Sequence, residues 1–311
     1  MHYKILSITP SPALDLSGIV DKLIPNEKSY VHDELRSPGG NGINAARILT
    51  RLNIPVLTTG FLGGSIGQEI KTLLDLENVN NNFINIKGHS RICVTVSNKK
   101  DHNQTRLTFP GPSISKTEKL NLFRFVKAQQ GLNYLIFGGS LPTGLNSADV
   151  LQLLRLAKKK KIECIVDCPG HILRELIKEG PLLIKPNLKE FQEATGTKVT
   201  SIAGVQKEAQ KLLAHVPYIC VSSVDEGALL VTRKNSYFGR IPKIKIRSTV
   251  GAGDSMVGAM VAQLAIKSSS GNDILRFGLA AAAATLAQSG TAFGSAHEIN
   301  LLFKKTKVSQ I

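Results

Sequence analysis

Short runs of apolar residues alternate with longer amphipathic segments along most of the chain. The apolar runs have the length and composition of strands and lie at Tyr3–Thr9, Val56–Leu62, Tyr134–Phe137, Ile162–Asp167, Leu182–Ile184 and Tyr218–Ser222. The segments between them, such as Thr117–Gln129 and Ala148–Lys160, carry apolar residues at helical spacing. Because strands that alternate with helices form parallel sheets covered on both faces, the pattern predicts an α/β fold with a central, mostly parallel sheet flanked by helices.

Two segments interrupt this alternation. Residues 12–37 are polar and irregular, whereas residues 91–109 form two alternating runs around a polar turn, which predicts a hairpin. We expect both segments to project from the main sheet as a small β-lid. From about residue 271 the chain is predicted to be helical, and it ends in a basic tail. Since the sequence shows no internal repeat and no flexible linker, we expect one domain over residues 1–311, with the lid formed by these insertions.

The chain of 311 residues is strongly basic. It contains 39 Lys and Arg against 23 Asp and Glu, which gives a formal charge of +16 at pH 7. Such a surplus is typical of nucleic-acid-binding proteins, which also present aromatic residues for stacking or a basic face. The sequence has no aromatic-rich basic tract, and its basic run Lys158–Lys161 closes a predicted helix, where cations are favoured. We therefore expect no nucleic-acid partner and attribute most of the surplus to solvated surface.

The remaining composition excludes further classes of protein. The cysteines, Cys93, Cys164, Cys168 and Cys220, match no zinc or thioredoxin spacing, so we expect free structural thiols in a reducing cytoplasm. No apolar stretch reaches the length of about 18 residues that a membrane span needs. The first apolar run is broken by Pro and Asp, unlike a secretory signal. The sequence therefore predicts a cytoplasmic protein with no membrane partner.

The first chemical motif is STVGAGDSMVGAM, Ser248–Met260. A strand-like stretch is expected to end at Thr249, and Gly251, Ala252 and Gly253 then turn into a helix that starts near Asp254, at the N-cap position. Successive backbone N–H groups at such a turn cradle an anion, and the helix dipole adds positive potential. A carboxylate beside this cradle suits proton removal from a hydroxyl that attacks a phosphoryl group. The alternative is a plain capped helix after a glycine turn.

The second motif is SPGGNGINAARILTRL, Ser37–Leu52, a glycine-rich turn that opens a helix. Its segment Gly40–Ala45 fits the loose dinucleotide pattern G-x-G-x-x-A. However, the preceding segment is polar, and no Asp or Glu lies at a strand end about 20 residues further along the chain. The sequence therefore does not favour a dinucleotide site. A Walker A loop is excluded because the chain contains no Gly-Lys pair.

These motifs together resemble the ribokinase/PfkB family of sugar kinases over nearly the whole chain. The branch they resemble contains 1-phosphofructokinase, tagatose-6-phosphate kinase and the minor bacterial 6-phosphofructokinase. The other matching segments are TPSPALD (Thr9–Asp15), GSLPTG (Gly139–Gly144), VDCPG (Val166–Gly170) and KPNLKE (Lys185–Glu190). The resemblance implies a ribokinase-like fold with a β-lid, ATP and Mg²⁺ as cofactors, a sugar phosphate as substrate and a homodimer formed through the lid.

The resemblance also implies roles for the residues around the transferred phosphate. Asp254 would be the general base, and Gly251, Ala252 and Gly253 would form the anion hole. Asn187 and Glu190 would place Mg²⁺ through water. Lys185, Asn187, Ser222 and Gly227 would bind the nucleotide, with Lys185 on its phosphates and the loop Ser222–Gly227 along its length.

On the sugar side the resemblance assigns hydroxyl-binding positions to Asp15, Gly39, Gly40 and Asn44. Arg91 and Arg106 lie on the two arms of the predicted hairpin, and a guanidinium fork suits a substrate phosphate. Their alternative role is that of ordinary exposed hairpin arginines. Further candidates for the substrate phosphate are Lys28 and Ser140.

Asn41 departs from the pattern of two branches. The 1-phosphofructokinases and tagatose-6-phosphate kinases carry GGKG, whereas here the lysine position holds Asn41. A neutral residue there resembles the minor 6-phosphofructokinase, which favours fructose 6-phosphate, but a different phosphosugar stays open. A kinase of an unphosphorylated sugar or a nucleoside is the second hypothesis, and a nucleic-acid-binding protein is a remote third.

Overall fold

A ten-stranded sheet lies at the centre of the computed structural model, which describes residues 4–101, 103–266 and 269–311. The strands are β1 (Ile5–Thr9), β2 (Ala13–Val20), β3 (His32–Gly39), β4 (Val56–Leu62), β5 (Ile84–Asn85), β6 (Arg91–Asn98), β7 (Gln104–Thr108), β8 (Tyr134–Gly138), β9 (Glu163–Asp167), β10 (Leu183–Ile184), β11 (Tyr218–Val224), β12 (Gly227–Thr232), β13 (Ser236–Arg240) and β14 (Lys307–Gln310).

The helices are α1 (Asn41–Arg51), α2 (Gly64–Leu76), α3 (Lys116–Ala128), α4 (Ser147–Lys159), α5 (Gly170–Leu176), α6 (Leu188–Thr195), α7 (Ile202–Leu212), α8 (Ala252–Leu264), α9 (Gly271–Leu286) and α10 (Ala296–Lys305). A short 3₁₀ turn, Ile177–Glu179, follows α5.

The large sheet has the strand order β14-β13-β12-β11-β10-β9-β8-β1-β4-β5. Its strands pair in parallel from β5 to β11, and antiparallel pairs link β11, β12, β13 and β14. The predicted α/β fold with a mostly parallel sheet is therefore confirmed. The carboxyl ends of the parallel strands lie along one edge, which is where α/β sheets bind ligands.

Helices cover both faces of this sheet. Strand β8 illustrates the division, because Ile136 faces one apolar core while Leu135 and Phe137 face the other. The core on the Ile136 side is built with α1, α8 and α9, and the opposite core with α3, α4, α5 and α7. Among the residues described here, no helix is long and apolar enough to cross a membrane.

The predicted strands and helices are found within one or two residues of their expected ends, apart from Tyr3, which lies outside the described residues. Helix α3 begins after Ser115, whose hydroxyl accepts from the backbone N–H of Glu118 while the Glu118 carboxylate accepts in return. Helix α4 begins after Asn146 with the same reciprocal cap to Asp149. These local hydrogen bonds explain why the start of each helix was predictable from the sequence.

Two expectations about secondary structure were wrong, and the basic tail contains a strand that was not predicted. No strand ends at Thr249, because the backbone N–H groups of Arg247 and Ser248 donate to the carbonyl of Leu286 at the end of α9. Residues 12–37 are not irregular, since they contain β2 and most of β3. The basic tail ends in β14, which pairs with β13 at the edge of the large sheet.

The four strands β3-β2-β6-β7 form a separate small sheet, the lid. Strands β6 and β7 are the predicted hairpin, in which Thr95 pairs with Arg106. Strand β2 runs parallel to β6, with Asp15 opposite Cys93, and antiparallel to β3. The lid thus joins two segments that are distant in sequence.

The four cysteines are free thiols. Cys164, Cys168 and Cys220 are buried, and burial raises the pKa of Cys164 and of Cys220 to about 12. A thiol with such a pKa stays protonated and unreactive at neutral pH. The structure therefore agrees with the expectation of structural thiols.

Candidate active site

A cleft of about 940 Å³ separates the lid from the carboxyl ends of the parallel strands. Asp15 and Arg106 enter it from the lid, and Asp167 enters it from the end of β9. The predicted site residues that line the cleft are Asp15, Gly40, Asn41, Asn44, Arg91, Arg106, Lys185, Asn187, Glu190, Ser222, Gly227, Gly251, Ala252, Gly253 and Asp254. The two motifs and the lid therefore converge on one cavity.

The GAGD turn (Gly251–Asp254) starts helix α8 inside this cleft. Gly251 is the N-cap and has a φ of 75°, a conformation that favours glycine. A Cβ at Gly251 would also lie 2.6 Å from the ring of Phe293, so a side chain is excluded there. Because the first N–H groups of a helix have no partner within the helix, the turn presents donors to an anion in the cleft.

Asp254 is not the N-cap that the sequence predicted. Gly251 takes that position, and Asp254 is the third residue of α8, where its Oδ2 accepts a 2.8 Å hydrogen bond from Nδ2 of Asn44. Burial raises the pKa of Asp254 to about 6, and the nearby charge of Asp167 adds to the rise, while Asn44 and Lys185 oppose it. A carboxylate with this pKa is ionised at neutral pH yet basic enough to take a proton.

Lys185 lies beneath the GAGD turn and pairs with Asp167. Its Nζ is 3.3 Å from Oδ1 of Asp167, and both side chains are almost completely buried. Burial alone would lower the pKa of Lys185, but the carboxylates around it, Asp167 first, hold the pKa above its usual value. A Cβ at Gly253 would lie 3.2 Å from this Nζ, so glycine allows the ammonium group to approach the turn.

Asn41 completes this buried network. Its Nδ2 donates a 3.0 Å hydrogen bond to Oδ2 of Asp167, the oxygen that Lys185 leaves free. Asn41 is also the position that departs from the GGKG pattern. In this chain a neutral amide therefore stands beside Asp167 where a second lysine would compete with Lys185.

The N-x-x-E box is a reciprocal helix cap. Asn187 caps α6 by accepting from the backbone N–H of Glu190 at 2.9 Å, and Oε2 of Glu190 accepts from the backbone N–H of Asn187 at 2.8 Å. Burial raises the pKa of Glu190. The cap uses only one carboxylate oxygen of Glu190, so the other oxygen stays outside it. Asn187 and Glu190 both line the cleft while they hold α6 in place.

Asp15 is a second partly buried carboxylate in the cleft. Burial and the charge of Asp254 raise its pKa to about 6, whereas Arg47, Arg91 and Arg106 act to lower it. A Cβ at Gly39 would lie 2.2 Å from Oδ2 of Asp15, so this close approach requires glycine. Gly39 thus shapes the lid side of the cleft around Asp15 without lining it.

The two hairpin arginines face the same cavity. Nη2 of Arg91 donates to the carbonyl of Ser11 at 3.0 Å and reaches Oγ of Ser140 at 3.5 Å, which places Ser140 behind Arg91. The Nε–H of Arg91 is buried without a hydrogen-bond partner among the described residues. Arg106 donates to Oγ1 of Thr249.

The lid is tied to the segment before the GAGD turn by further polar contacts. The Gln104 side chain on β7 accepts from Oγ1 of Thr249 at 3.1 Å and donates to Oγ of Ser248 at 3.5 Å. Together with Arg106, these contacts join the lid directly to the start of α8.

Three predicted site residues lie outside the cleft lining, namely Lys28, Gly39 and Ser140, and of these Gly39 and Ser140 contact residues that line it. Lys28 is exposed in the segment between β2 and β3. A lone lysine in a polar loop is ordinarily solvated, and the structure gives Lys28 no place beside Arg91 or Arg106 in its own chain.

Sequence reasoning missed an apolar part of the cleft and two charged residues. The apolar lining residues are Ala228, Ile241, Val250, Leu279, Ala282 and Leu286. They come from several elements, and Ala282 belongs to an alanine run that is typical of helix packing. Asp167 was noted only as part of a family motif, and its position at the end of a buried strand was the signal that could have found it. Arg47 lies within the motif Ser37–Leu52, but the sequence analysis assigned it no role.

The model of the pfkB family of carbohydrate kinases matches residues 8–298. The chain belongs to the pfkB family. It is 33% identical over 291 residues to ATP-dependent 6-phosphofructokinase isozyme 2 of Escherichia coli, covering 93% of this chain and 94% of that protein. It is 32% identical over 268 residues to tagatose-6-phosphate kinase of Staphylococcus epidermidis, covering 84% and 85%.

A solved structure shows the same relationship. The crystal structure of phosphofructokinase-2 from Escherichia coli with substrates and products matches with a TM-score of 0.92 at 32% identity, over 97% of this chain and 99% of that one. The predicted pfkB family membership, the ribokinase-like fold and the assignment as a kinase are therefore confirmed.

Proposed function

We propose that this pfkB kinase transfers the γ-phosphate of ATP to a hydroxyl of a ketohexose phosphate and so forms a 1,6-bisphosphate. Fructose 6-phosphate is the first candidate, ahead of fructose 1-phosphate and tagatose 6-phosphate. The observation that carries the proposal is the partly buried Asp254 carboxylate beside the backbone N–H groups of its own helix, in a cleft that two arginines of the lid also line.

Asp254 is the general base of the proposed reaction. Its pKa of about 6 leaves it ionised at neutral pH, ready to accept the proton of the attacking hydroxyl. The hydrogen bond from Asn44 holds one carboxylate oxygen, so the other is the oxygen that would meet the substrate. Proton removal makes the hydroxyl oxygen a better nucleophile toward the γ-phosphorus.

The GAGD turn and Lys185 supply the positive potential for the transferred group. Phosphoryl transfer spreads negative charge over the equatorial oxygens, and fixed donors stabilise it without reorganisation. The N–H groups at the start of α8 and the protonated Lys185 beneath Gly253 are such donors. Asn41 and Asp167 hold Lys185 in position.

The apolar part of the cleft suits the nucleotide base. Ile241, Val250, Leu279 and Ala282 provide flat aliphatic surface near the loop Ser222–Gly227. A purine ring buries most of its faces in such a slot, as small-molecule sites generally do. We assign the ATP ribose and phosphates to Ser222, Gly227, Asn187 and Lys185.

The donor set also fits Mg²⁺ held mainly by the nucleotide. Among the residues that the structure describes, no group of three or more His, Cys, Asp or Glu could hold a metal ion. Mg²⁺ ordinarily takes one or two carboxylates together with waters and substrate phosphates. Glu190, with one oxygen outside the α6 cap, and Asn187 would hold it through water. When bound, the ion would neutralise charge on the phosphates.

The sugar phosphate is assigned to the lid side of the cleft. Asp15, Asn44 and the glycine pair Gly39–Gly40 would bind hydroxyls, and Arg91, Arg106 and Ser140 would bind the phosphate. Among the residues that the structure describes, none accepts a hydrogen bond from the buried Nε–H of Arg91, which supports an anionic ligand as its partner. The neutral Asn41 favours fructose 6-phosphate over the substrates of the GGKG branches.

The lid would exclude water from the reacting groups, and we propose that it also forms a homodimer. Tyr30, Val31, Leu35, Leu107 and Phe109 are exposed apolar residues in or beside its strands. A small sheet with an apolar outer surface gains by pairing with a second copy. Sedimentation equilibrium should therefore give a dimer mass, and Leu107→Glu with Phe109→Glu should give a monomer; a monomeric wild-type chain would refute this part.

The function is tested by a coupled assay of ADP release. Fructose 6-phosphate, fructose 1-phosphate, tagatose 6-phosphate, unphosphorylated hexoses and nucleosides are compared with Mg-ATP under identical conditions. We expect the highest kcat/KM with fructose 6-phosphate and the bisphosphate as product. A higher kcat/KM for an unphosphorylated sugar or a nucleoside would overturn the proposal, and a preference for another phosphohexose would correct its substrate.

A further inference from the structure

Arg47 of helix α1 is buried and carries a charge that no part of the proposed chemistry uses. Its side chain is 3% exposed, and Nε and Nη2 form a fork to the two oxygens of Glu77 at 2.8 and 2.5 Å. Arg47 does not line the cleft. A buried arginine is costly unless its donors are satisfied, and the partners of the remaining donors lead toward the active site.

The first connection runs to the base through Asn44. Nη1 of Arg47 is 3.5 Å from Oδ1 of Asn44, and Nδ2 of Asn44 donates to Asp254 at 2.8 Å. A primary amide has one accepting end and one donating end, so a positive donor at Oδ1 selects the orientation in which Nδ2 meets the carboxylate. If the amide were reversed, its oxygen would face Asp254 and repel it.

The second connection runs to the anion hole through an aromatic ring. The guanidinium of Arg47 lies 4.4 Å from the centroid of the Phe293 ring, a cation–π contact. The edge of the same ring faces the GAGD turn, since a Cβ at Gly251 would lie 2.6 Å from its Cζ atom. Phe293 therefore adjoins both Arg47, over its ring face, and Gly251, at its ring edge.

The third connection runs to the sugar side. Nη1 of Arg47 also donates to the carbonyl of Pro38 at 3.2 Å, immediately before the glycine pair that touches Asp15. The charge of Arg47 is the largest influence that lowers the pKa of Asp15, against burial and Asp254, which raise it; Arg91 and Arg106 lower it further. The Arg47 side chain thus contacts Asn44, Phe293 and Pro38, which adjoin the proposed base, the anion hole and the glycine pair.

We propose that Arg47 is a positioning residue that sets the Asp254 base, the GAGD turn and the glycine pair in register through Asn44, Phe293 and Pro38. The inference rests on the proposed kinase function, because it concerns the alignment of that reaction. Its effect is on kcat more than on the binding of ATP, since Arg47 contacts neither substrate. The rate of phosphoryl transfer is sensitive to the positions of the reacting groups, and a displacement of about 1 Å can lower the rate by about 100-fold.

Arg51 is a matched control one helical turn away. It shares two of the partners, with Nη2 3.4 Å from Oε2 of Glu77 and its guanidinium 5.7 Å from the Phe293 centroid, but it has no recorded bond to Asn44 or Pro38. Substitution of Arg51 therefore removes a neighbouring positive charge and a contact to the same ring without touching the connections to the base and the sugar side.

The experiment compares Arg47→Gln, Arg47→Lys and Arg51→Gln with the wild type, each checked by thermal unfolding and by the Kd for Mg-ATP. We expect Arg47→Gln to lower kcat by about 100-fold, with the Kd for ATP within about threefold, as loss of alignment predicts. Arg51→Gln should keep kcat within about threefold, since the Arg51–Glu77 ion pair is long and partly open to solvent, and such pairs contribute little. Arg47→Lys keeps the positive charge but loses the two-pronged contact with Glu77. It should therefore show the wild-type pH profile with a kcat below that of the wild type.

The pH profile provides a readout that a purely structural role would not move. Loss of the Arg47 charge leaves Asp15 with a higher pKa, so the acid limb of kcat/KM for the sugar should move to higher pH in Arg47→Gln and stay in place in Arg47→Lys. Equal kcat and equal profiles for Arg47→Gln and Arg51→Gln would overturn the inference. If the wild type itself phosphorylates none of the tested sugars, the proposed function fails instead. If Arg47→Gln does not fold, Arg47→Lys is compared with Arg51→Gln instead. A wild-type kcat in Arg47→Lys would then contradict the positioning role of the two-pronged contact between Arg47 and Glu77.

Discussion

The Asn44 amide donates a 2.8 Å hydrogen bond to the Asp254 carboxylate and so joins two motifs that lie 210 residues apart in sequence. The bond is possible because α1 and α8 pack closely, with Gly258 of α8 against the carbonyl of Ala45 and the side chain of Ile48. A Cβ at Gly258 would lie 2.7 Å from that carbonyl, so a larger residue would push the helices apart. The separation of the two helices therefore sets the position of the proposed base.

Asp254→Asn should abolish most of the turnover while keeping the nucleotide site. We expect kcat to fall by about 1,000-fold, within the range that general bases contribute, because the amide cannot accept the hydroxyl proton. The Kd for Mg-ATP, measured by calorimetry, should change little. Asp273→Asn is the control, since Asp273 has the same third position in α9 but lies outside the cleft. Near-normal turnover in Asp254→Asn would remove the assigned base.

The pH dependence of kcat should reflect the raised pKa of Asp254. Because that pKa is about 6, the carboxylate is protonated below this pH and kcat, measured at saturating sugar, should fall as pH drops through about 6. Asp167→Asn removes a negative charge that raises the pKa, so the acid limb should move to lower pH by about one unit. If the acid limb of kcat lies at the same pH in the wild type and in Asp167→Asn, Asp167 does not influence the pKa of Asp254.

Arg106→Gln and Arg91→Gln should weaken sugar-phosphate binding selectively. Loss of two charge-assisted hydrogen bonds of about 1.5 kcal/mol each predicts a fall of about 100-fold in kcat/KM for fructose 6-phosphate. The KM for ATP should stay constant. Arg124→Gln on the exposed face of α3 controls for net charge. If both cleft variants bind the sugar phosphate normally, the phosphate must bind elsewhere, and an unphosphorylated substrate becomes the better hypothesis.

Ala282→Leu should narrow the apolar slot that we assign to the nucleotide base. Overpacking of about 1–3 kcal/mol predicts a KM for ATP raised by about 10-fold or more, with the KM for the sugar unchanged. Ala287→Leu, five residues further along and outside the cleft, is the matched control. A rise in the sugar KM rather than the ATP KM would reverse the assignment of the two sides of the cleft.

Most of the parallel core and most of the polar site were predictable from the sequence because their signals are local. Buried strands such as β4 are continuous apolar runs, and helices such as α4 carry their caps within four residues. Gly251 and Gly253 likewise indicate the GAGD turn from within a short segment. Each of these signals lies within a single short segment.

The parts that escaped prediction depend on distant partners. Strand β3 has no apolar alternation, since its first five residues are exposed, and pairing with β2 alone makes it a strand. Strand β14 exists only because β13 offers an edge. Asp254 looked like an N-cap because the left-handed φ of Gly251, which moves the cap three residues earlier, is invisible in the sequence. The apolar part of the cleft and the contacts of Arg47 arise from packing between several elements.

The hydrogen bonds that Thr249 forms with Gln104 and Arg106 mean that the lid and the GAGD turn are not interchangeable modules. A lid transplanted from another family member to change the sugar would meet a foreign partner at Thr249 and disturb the segment that starts α8. Exchange of lids within this family therefore has to carry residues 248–249 along with strand β7.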